Sequence, residues 1–491
     1  MTTNAPASGS ATDNKRSSAP GSVFASDQYR FHGLFLGFLA LIVWLPLPLG
    51  SNRAWAWHIM ELWTFTLVAL WLIGYIFHPY NPPRPLRRAA IALFLFVLWL
   101  AYVFSQTIPL PVETLQSLSP GAFELYFYEE GVTSGALQPL SIDRGATLEE
   151  FLKSSSYIGI FFLTLVLVNN RYRLRYLAVT ILFVGLGESV YGLVNTLSGI
   201  EKIWWMEKYA YIGSVTGTFI NRNHFAGHLE IVIPMALGLW LGGKEEFKHF
   251  NSVGARLKYI FSLALTAKGR MFAYIVVMFS AMFLSTSRGG NIALLVALFI
   301  TIFIAFITRG KKARELKLAP AILFIAIIAG SWLGVHSLTE RISVAEHQSK
   351  PRIEKWWQSK GIIEDYIIFG TGAGSFEYII PLYEDRRLDG LYDHAHNDYI
   401  ELLSDQGVIG FGLAFASISL VMFYIVSGYA RCHEPFLRGI LFASLGGSIS
   451  LLLHAITDFN FYIPANAAYF YLVLAMGIVA STMKRRSKSG G

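Results

Sequence analysis

The chain has 491 residues, 54% of them hydrophobic and only 15% charged, with a formal net charge of +8. That balance is too apolar for a soluble protein of this length, and apolar runs of about 18 residues or more with few charges mark membrane spans. The single cysteine, Cys432, excludes an internal disulfide framework and a cysteine-based metal site.

Residues 1–28 are rich in Ser, Ala, Gly and Thr. They cannot bury enough apolar surface to fold and are expected to form a disordered cytoplasmic tail. The first apolar run begins near Phe31, deeper than a cleaved signal peptide would, and reads as a retained span. Apolar windows then give twelve spans: 31–49, 55–77, 89–106, 153–169, 176–196, 224–241, 271–287, 290–308, 318–335, 399–427, 437–457 and 466–483. The expected fold is an all-α polytopic membrane protein of about 12 transmembrane helices. Its bundle occupies 29–335 and 399–484, and a basic cytoplasmic tail follows at 485–491.

The basic residues set the orientation. With both termini in the cytoplasm, the loops on that side hold 26 of the 40 Lys and Arg. This is the positive-inside pattern. The excess charge is therefore a topology signal, and no nucleic-acid partner is expected. Two large external segments remain, 107–152 and 336–398. The first, with Pro109, Pro111, Pro120 and Gly121, reads as a folded or semi-ordered cap. The second lies between the ninth and tenth spans. It carries Arg341, Arg352, Trp356-Trp357, the glycine-rich run Gly370–Gly374, and the cluster Asp393-His394-Ala395-His396-Asn397-Asp398. No internal repeat is evident.

Asp398 reads as a helix N-cap, with Glu401 three residues later completing a capping box. His396 then lies just outside a helix N-terminus. The positive end of the helix dipole favours a neutral imidazole, which can take a proton from a hydroxyl. The plainer alternative is a pair of polar histidines at a helix start. A zinc or manganese site built from Asp393, His394, His396 and Asp398 is a third option, although consecutive ligands in one short turn rarely all reach one ion.

Arg288 stands in Ser285-Thr286-Ser287-Arg288-Gly289-Gly290, between two apolar runs. A charge near the membrane centre costs about 2.5–3.5 kcal/mol, so the guanidinium needs a partner. A phosphate would satisfy it in bidentate fashion; a snorkelling arginine at a hairpin is the alternative. Arg222 lies in Asn221-Arg222-Asn223-His224, with His228 and Glu230 in the next turns. Ionisable groups inside a span face a cavity or a partner. The run Gly370-Thr371-Gly372-Ala373-Gly374 lacks the Gly-Lys-Ser/Thr ending of a nucleotide loop and reads as a flexible turn. Trp356 and Trp357 read as interfacial anchors rather than sugar platforms.

His396-Asn397, nine residues, Gly407, two residues and Gly410 match a pattern typical of the O-antigen ligase-like superfamily. The segments 367–376, Thr218–His224 and Ser285–Gly290 also resemble that family, in the same order. The superfamily holds O-antigen ligases, O-antigen and exopolysaccharide polymerases, and protein O-oligosaccharyltransferases. The resemblance implies a GT-C-type membrane glycosyltransferase of the bacterial inner membrane with its active site facing the periplasm. It implies an undecaprenyl-pyrophosphate-linked glycan donor and a hydroxyl acceptor on a glycan, lipid A-core or protein. The reaction is expected to invert the anomeric centre without a metal or other cofactor. On the same resemblance His396 is the base, Arg222 and Arg288 hold the pyrophosphate, and His394 and Asn397 support them. The external segment 107–152 and the polar N-terminal tail resemble exopolysaccharide-cluster members more than a minimal ligase.

Two other readings compete. Twelve spans with His228 and Glu230 inside one of them also suit a proton-coupled transporter. A non-catalytic component of polysaccharide export would need none of the His cluster.

Overall fold

The computed structural model describes residues 31–129, 135–243, 266–310, 313–318, 356–383 and 394–483, together with Gly131, Thr133 and Pro320. Both tails, nearly all of the ninth expected span, Arg341, Arg352 and Asp393 lie outside these residues. Eleven principal helices occupy the other expected spans: α1 (His32–Trp44), α2 (Ala54–Phe77), α3 (Arg84–Ser105), α4 (Arg144–Leu167), α5 (Arg171–Leu197), α6 (Arg222–Gly242), α7 (Ala267–Leu284), α8 (Arg288–Arg309), α9 (Asp398–Arg431), α10 (Pro435–His454) and α11 (Pro464–Thr482). Ten are long and apolar enough to cross a membrane, and α1, at 13 residues, is shorter. The chain is an all-α polytopic membrane protein.

Local chemistry explains where the helices depart from the apolar windows. α1 stops at Trp44 because Pro46 and Pro48 lack the N–H that the next turn needs. α4 starts nine residues before the expected 153, because the Asp143 carboxylate accepts from Ala146 N at 2.7 Å and caps it there. α10 ends at His454, three residues short of expectation, and the freed residues 455–463 form the loop around which the site is built.

Helices α6, α10 and α11 are largely buried, while α2, α3, α7 and α9 leave most of their apolar surface outside. α6 and α10 approach closely through small residues. A Cβ on Gly238 would meet the Gly439 carbonyl at 2.1 Å, and Gly446 and Gly447 pack on Pro234 and Ile231. Small residues that let backbones touch are the usual means of helix association in lipid.

A second, smaller apolar cluster lies at one end of the bundle. Leu115, Ala122 and Tyr126 from the segment 107–152 pack there with Ile362, Tyr366, Phe376, Ile379 and Ala395. The short helices Val112–Leu118 and Pro120–Glu124 and the paired residues Leu110–Pro111 and Leu137–Gln138 shape that layer. The described residues 356–383 before the His cluster thus pack against the segment 107–152.

The glycine-rich run is not a free turn. α9 is broken at Gly407, whose φ of 58° and ψ of −171° are open to little besides glycine. The carbonyls released by the break are taken up by the run. Thr371 N and Gly372 N donate to Ser404 O and Asp405 O at 3.0 and 2.8 Å. In the other direction, Val408 N donates to Ile367 O at 2.9 Å. Tyr102 Oη donates to Phe369 O and Gln406 O, and Gln106 Nε2 to Phe369 O and Asp405 O. Buried backbone groups must be paired, and here a strand-like contact replaces the helical ladder. Gly370 is required by proximity, since its Cβ would sit 2.3 Å from the Asp405 backbone.

Candidate functional site

The site gathers at the end of the bundle that carries the second apolar cluster. Helices α6, α8 and α9 bring their N-termini to the loop 455–463. Asp398 N donates to Ala455 O at 2.9 Å, and Phe461 N donates to the Asp398 carboxylate at 3.3 Å. Asn223, in the first turn of α6, donates its side-chain amide to Asp458 Oδ2. Gly289, in the first turn of α8, fits so close to Thr457 and His454 that a Cβ would meet them at 2.7 and 3.3 Å. Three helix N-termini facing one region make a field that favours an anion.

His396 precedes α9 with a left-handed backbone, φ 50°. For a residue other than glycine this costs on the order of 1–3 kcal/mol and is found where surrounding structure enforces it. It is Asn397, not Asp398, that caps the helix: its Oδ1 accepts from Tyr399 N and Ile400 N at 3.0 and 3.2 Å. The expected cap is thus displaced by one residue, because Asn397 reaches the orphan N–H groups while Asp398 turns to Phe461. Glu401 reaches back as a capping-box residue would, but its partners are Ala395 N at 3.0 Å and His394 Nδ1 at 2.6 Å.

The two histidines contact Phe459 in different geometries. His394 stacks on that ring at 4.1 Å between centroids and lies 5.0 Å from the Tyr462 ring. His396 meets Phe459 edge-on at 4.9 Å and sets Nδ1 3.2 Å from Asp458 Oδ1. His394 thus pairs with Glu401 and His396 with Asp458. Among the described residues no three His, Cys, Asp or Glu side chains come together as a metal would need.

Asp458 is the residue that the sequence reading missed. It is fully buried, yet it accepts from Phe459 N at 2.9 Å, from Asn223 and from His396. Burial pushes its carboxyl up; the His396 hydrogen bond and the imidazoles of His224, His396 and His454 outweigh that and hold it below the usual carboxylate range. A carboxylate at Nδ1 fixes that nitrogen as the donor and leaves the lone pair on Nε2. A signal existed in the sequence. His454 and Asp458 stand four residues apart at the end of an apolar run, where an ionisable pair needs a reason.

Arg222 is the first residue of α6. Its Nη1 donates to Thr286 Oγ1 at 2.8 Å, and its guanidinium lies 5.3 Å from the Tyr211 ring centre. Thr286 is two residues before Arg288, the exposed first residue of α8. The two loops are also joined through Ser214 Oγ and Thr286 Oγ1 at 3.0 Å and Val215 N to Leu284 O at 3.0 Å. Behind Arg222, the buried Glu188 of α5 accepts from Thr218 N at 2.8 Å and contacts Thr218 Oγ1 at 2.9 Å.

The ionisable residues further down α6 are enclosed by packing. The His228 ring lies between Phe219 and Tyr469, and Glu230 contacts His454 Nδ1 at 2.7 Å and Ser450 Oγ at 3.0 Å. Trp356 donates its indole N–H to Ala395 O at 3.0 Å, so it is tied to the histidine loop rather than free as an anchor.

No curated protein matches the chain. Residues 273–415 match a family model described as O-antigen ligase, a stretch that includes Arg288, His394, His396, Asn397 and Gly407. This match supports the O-antigen ligase-like superfamily as the family of this membrane protein.

Proposed function

We propose that the chain transfers a glycan from an undecaprenyl-pyrophosphate carrier to an acceptor hydroxyl during surface polysaccharide assembly, with the site facing the periplasm of the inner membrane. The observation that carries the reading is the His396–Asp458 pair, set where three helix N-termini meet and where two of those helices begin with arginine. A base beside an anion site is what such a transfer needs.

In this mechanism Nε2 of His396 takes the proton of the acceptor hydroxyl while Asp458 keeps the proton on Nδ1. The acceptor oxygen forms its bond to the anomeric carbon. The bond from that carbon to the pyrophosphate oxygen breaks, and its electron pair stays on the pyrophosphate. Attack from the face opposite the leaving group inverts the centre. Arg222, Arg288 and the N–H groups that open α6 and α8 stabilise the developing charge. Stabilisation of that kind is often the largest single catalytic term, and a positioned base contributes about 10²–10⁴-fold. His394, held by Glu401, and Asn397, capping α9, set the loop in which His396 stands.

The test is complementation of a deletion strain with His396→Ala, Arg222→Ala and Arg288→Ala, each at normal protein abundance. Loss of glycan transfer is expected from all three, and normal surface glycan from His396→Ala would end the proposal. The deletion strain itself sorts the activities. Accumulated single lipid-linked units indicate a polymerase. Lipid-linked polymer that never reaches its acceptor indicates a ligase, and unglycosylated protein indicates an oligosaccharyltransferase.

A further inference from the structure

The loop between α5 and α6 carries a small built hairpin that the mechanism does not use. Lys202 and Ile203 pair with Glu207 and Met206, and the turn is Trp204-Trp205. It is firmly held. Asn195 Oδ1 accepts from Lys202 N at 2.9 Å, Glu201 binds both Lys208 Nζ and Gly213 N at 2.8 and 3.0 Å, and Ile203 is buried. Its outward face is nonetheless apolar and aromatic, with Trp205 85%, Tyr209 76% and Ile212 61% exposed.

We infer that residues 198–214 seat in the phospholipid headgroup layer of the leaflet on the site's side. Three observations carry this. First, the exposed apolar face continues that of α5, where Phe183, Val190, Val194 and Leu197 look outward along one side of the helix. Second, the length of α5 sets the depth. From Tyr176, just after Arg175, to Leu197 the helix rises roughly 30 Å at 1.5 Å per residue, the thickness of a hydrocarbon core. The hairpin therefore begins where the headgroups do, the level at which Trp and Tyr are enriched. Third, the neighbouring loop brings further tryptophans to the same end. The Trp204 indole donates to Leu47 O at 2.9 Å, and the exposed Trp55 stands edge-on to Trp44. Together these form one side of an aromatic belt.

Tyr211 at the end of the hairpin lies against Arg222. On the proposed function, the hairpin then holds Arg222 in the layer where a carrier's pyrophosphate travels; the seating itself does not depend on that function.

The test uses the full chain with Cys432→Ser, which removes the only cysteine. Spin labels are placed by Trp205→Cys and Tyr209→Cys, with Gln116→Cys on the external layer as the aqueous reference. All three positions are exposed, so the fold is not at stake. The protein is placed in phosphatidylethanolamine–phosphatidylglycerol nanodiscs, and collision rates with oxygen and with a water-soluble nickel chelate are compared. The ratio of oxygen to nickel access is expected to be at least threefold higher at 205 and 209 than at 116. Equal nickel access at all three would overturn the inference. So would protection that develops only when lipid-linked glycan is added, because the hairpin would then be a glycan surface.

Discussion

Replacing Gly407 with alanine tests the link between the broken helix and the chemistry. The new Cβ would sit 2.3 Å from Ile368 O and 2.7 Å from Gly370 N, where ordinary contact begins at 3.4 Å. Backbone atoms would have to move by about 1 Å. Those atoms belong to the strand-like contact that Val408 N and Ile367 O close, so they cannot move alone. The backbone conformation adds a penalty of about 1–3 kcal/mol for a residue other than glycine. Overpacking adds a further cost of about 1–3 kcal/mol. A combined loss of about 2–6 kcal/mol follows. A displacement of about 1 Å at a reacting group costs roughly 10²-fold in rate. Gly412→Ala is the control, because nothing lies within 4 Å of its Cβ and the site is helical. Thermal unfolding in detergent and transfer from a lipid-linked donor would be measured on both variants. Gly407→Ala should melt well below wild type and transfer at least tenfold more slowly, while Gly412→Ala should match wild type. A Gly407→Ala protein with unchanged melting and transfer would refute the account of the break.

Asp458→Asn should lower kcat by on the order of 10²–10⁴-fold with a smaller change in donor KM, since the imidazole loses the partner that fixes its tautomer. The same variant has a signature in acid. The Asp458 carboxyl is held below its ordinary value, so its contribution to stability is present above about pH 4 and is lost as pH falls towards the folded value. The difference in melting temperature between wild type and Asp458→Asn should therefore shrink on acidification below about pH 4, and a difference that grows there would contradict the assignment. Glu188→Ala leaves Thr218 N without its acceptor, a loss of about 1–3 kcal/mol, and should weaken transfer through Arg222; Glu188→Gln, which can still accept from Thr218 N, should retain most of it in a side-by-side transfer assay. Arg288→Lys should raise the donor KM more than it lowers kcat, because the exposed guanidinium loses its bidentate fork while a charge remains; steady-state kinetics over a range of donor concentrations separate the two.

The spans were legible because lipid demands long apolar helices, and α2 begins within a residue of where the apolar window does. Their ends were less so, since Asp143 and Asn397 set boundaries through side-chain hydrogen bonds that hydropathy does not register. His396 stood out because its neighbours in sequence are polar. Asp458 did not, because its meaning depends on a contact across 62 residues. The glycine-rich run was the least legible. Its composition suggests flexibility, but its glycines serve close approach, Gly370 to the α9 backbone at Asp405, Gly372 to Ser141 and Gly374 to Ala146 of α4, and only the three-dimensional contacts distinguish the two. Glu230 and His228 drew a transport reading from their position in a span, whereas their partners lie on α10, α11 and the loop before α6.

The first part of α9, from the Asn397 cap to the break at Gly407, is a rigid rod pinned at both ends. One pin is the loop 455–463, which receives Asp398; the other is the strand-like contact that receives Gly407. The ten steps between cap and break correspond to roughly 15 Å of helix. The interval between His396 and Gly407 is therefore a ruler, and its length carries meaning separate from the residues that fill it. Adding a single residue within it would turn the histidine end by about 100° and shift it about 1.5 Å, away from Asp458, without touching any side chain of the site.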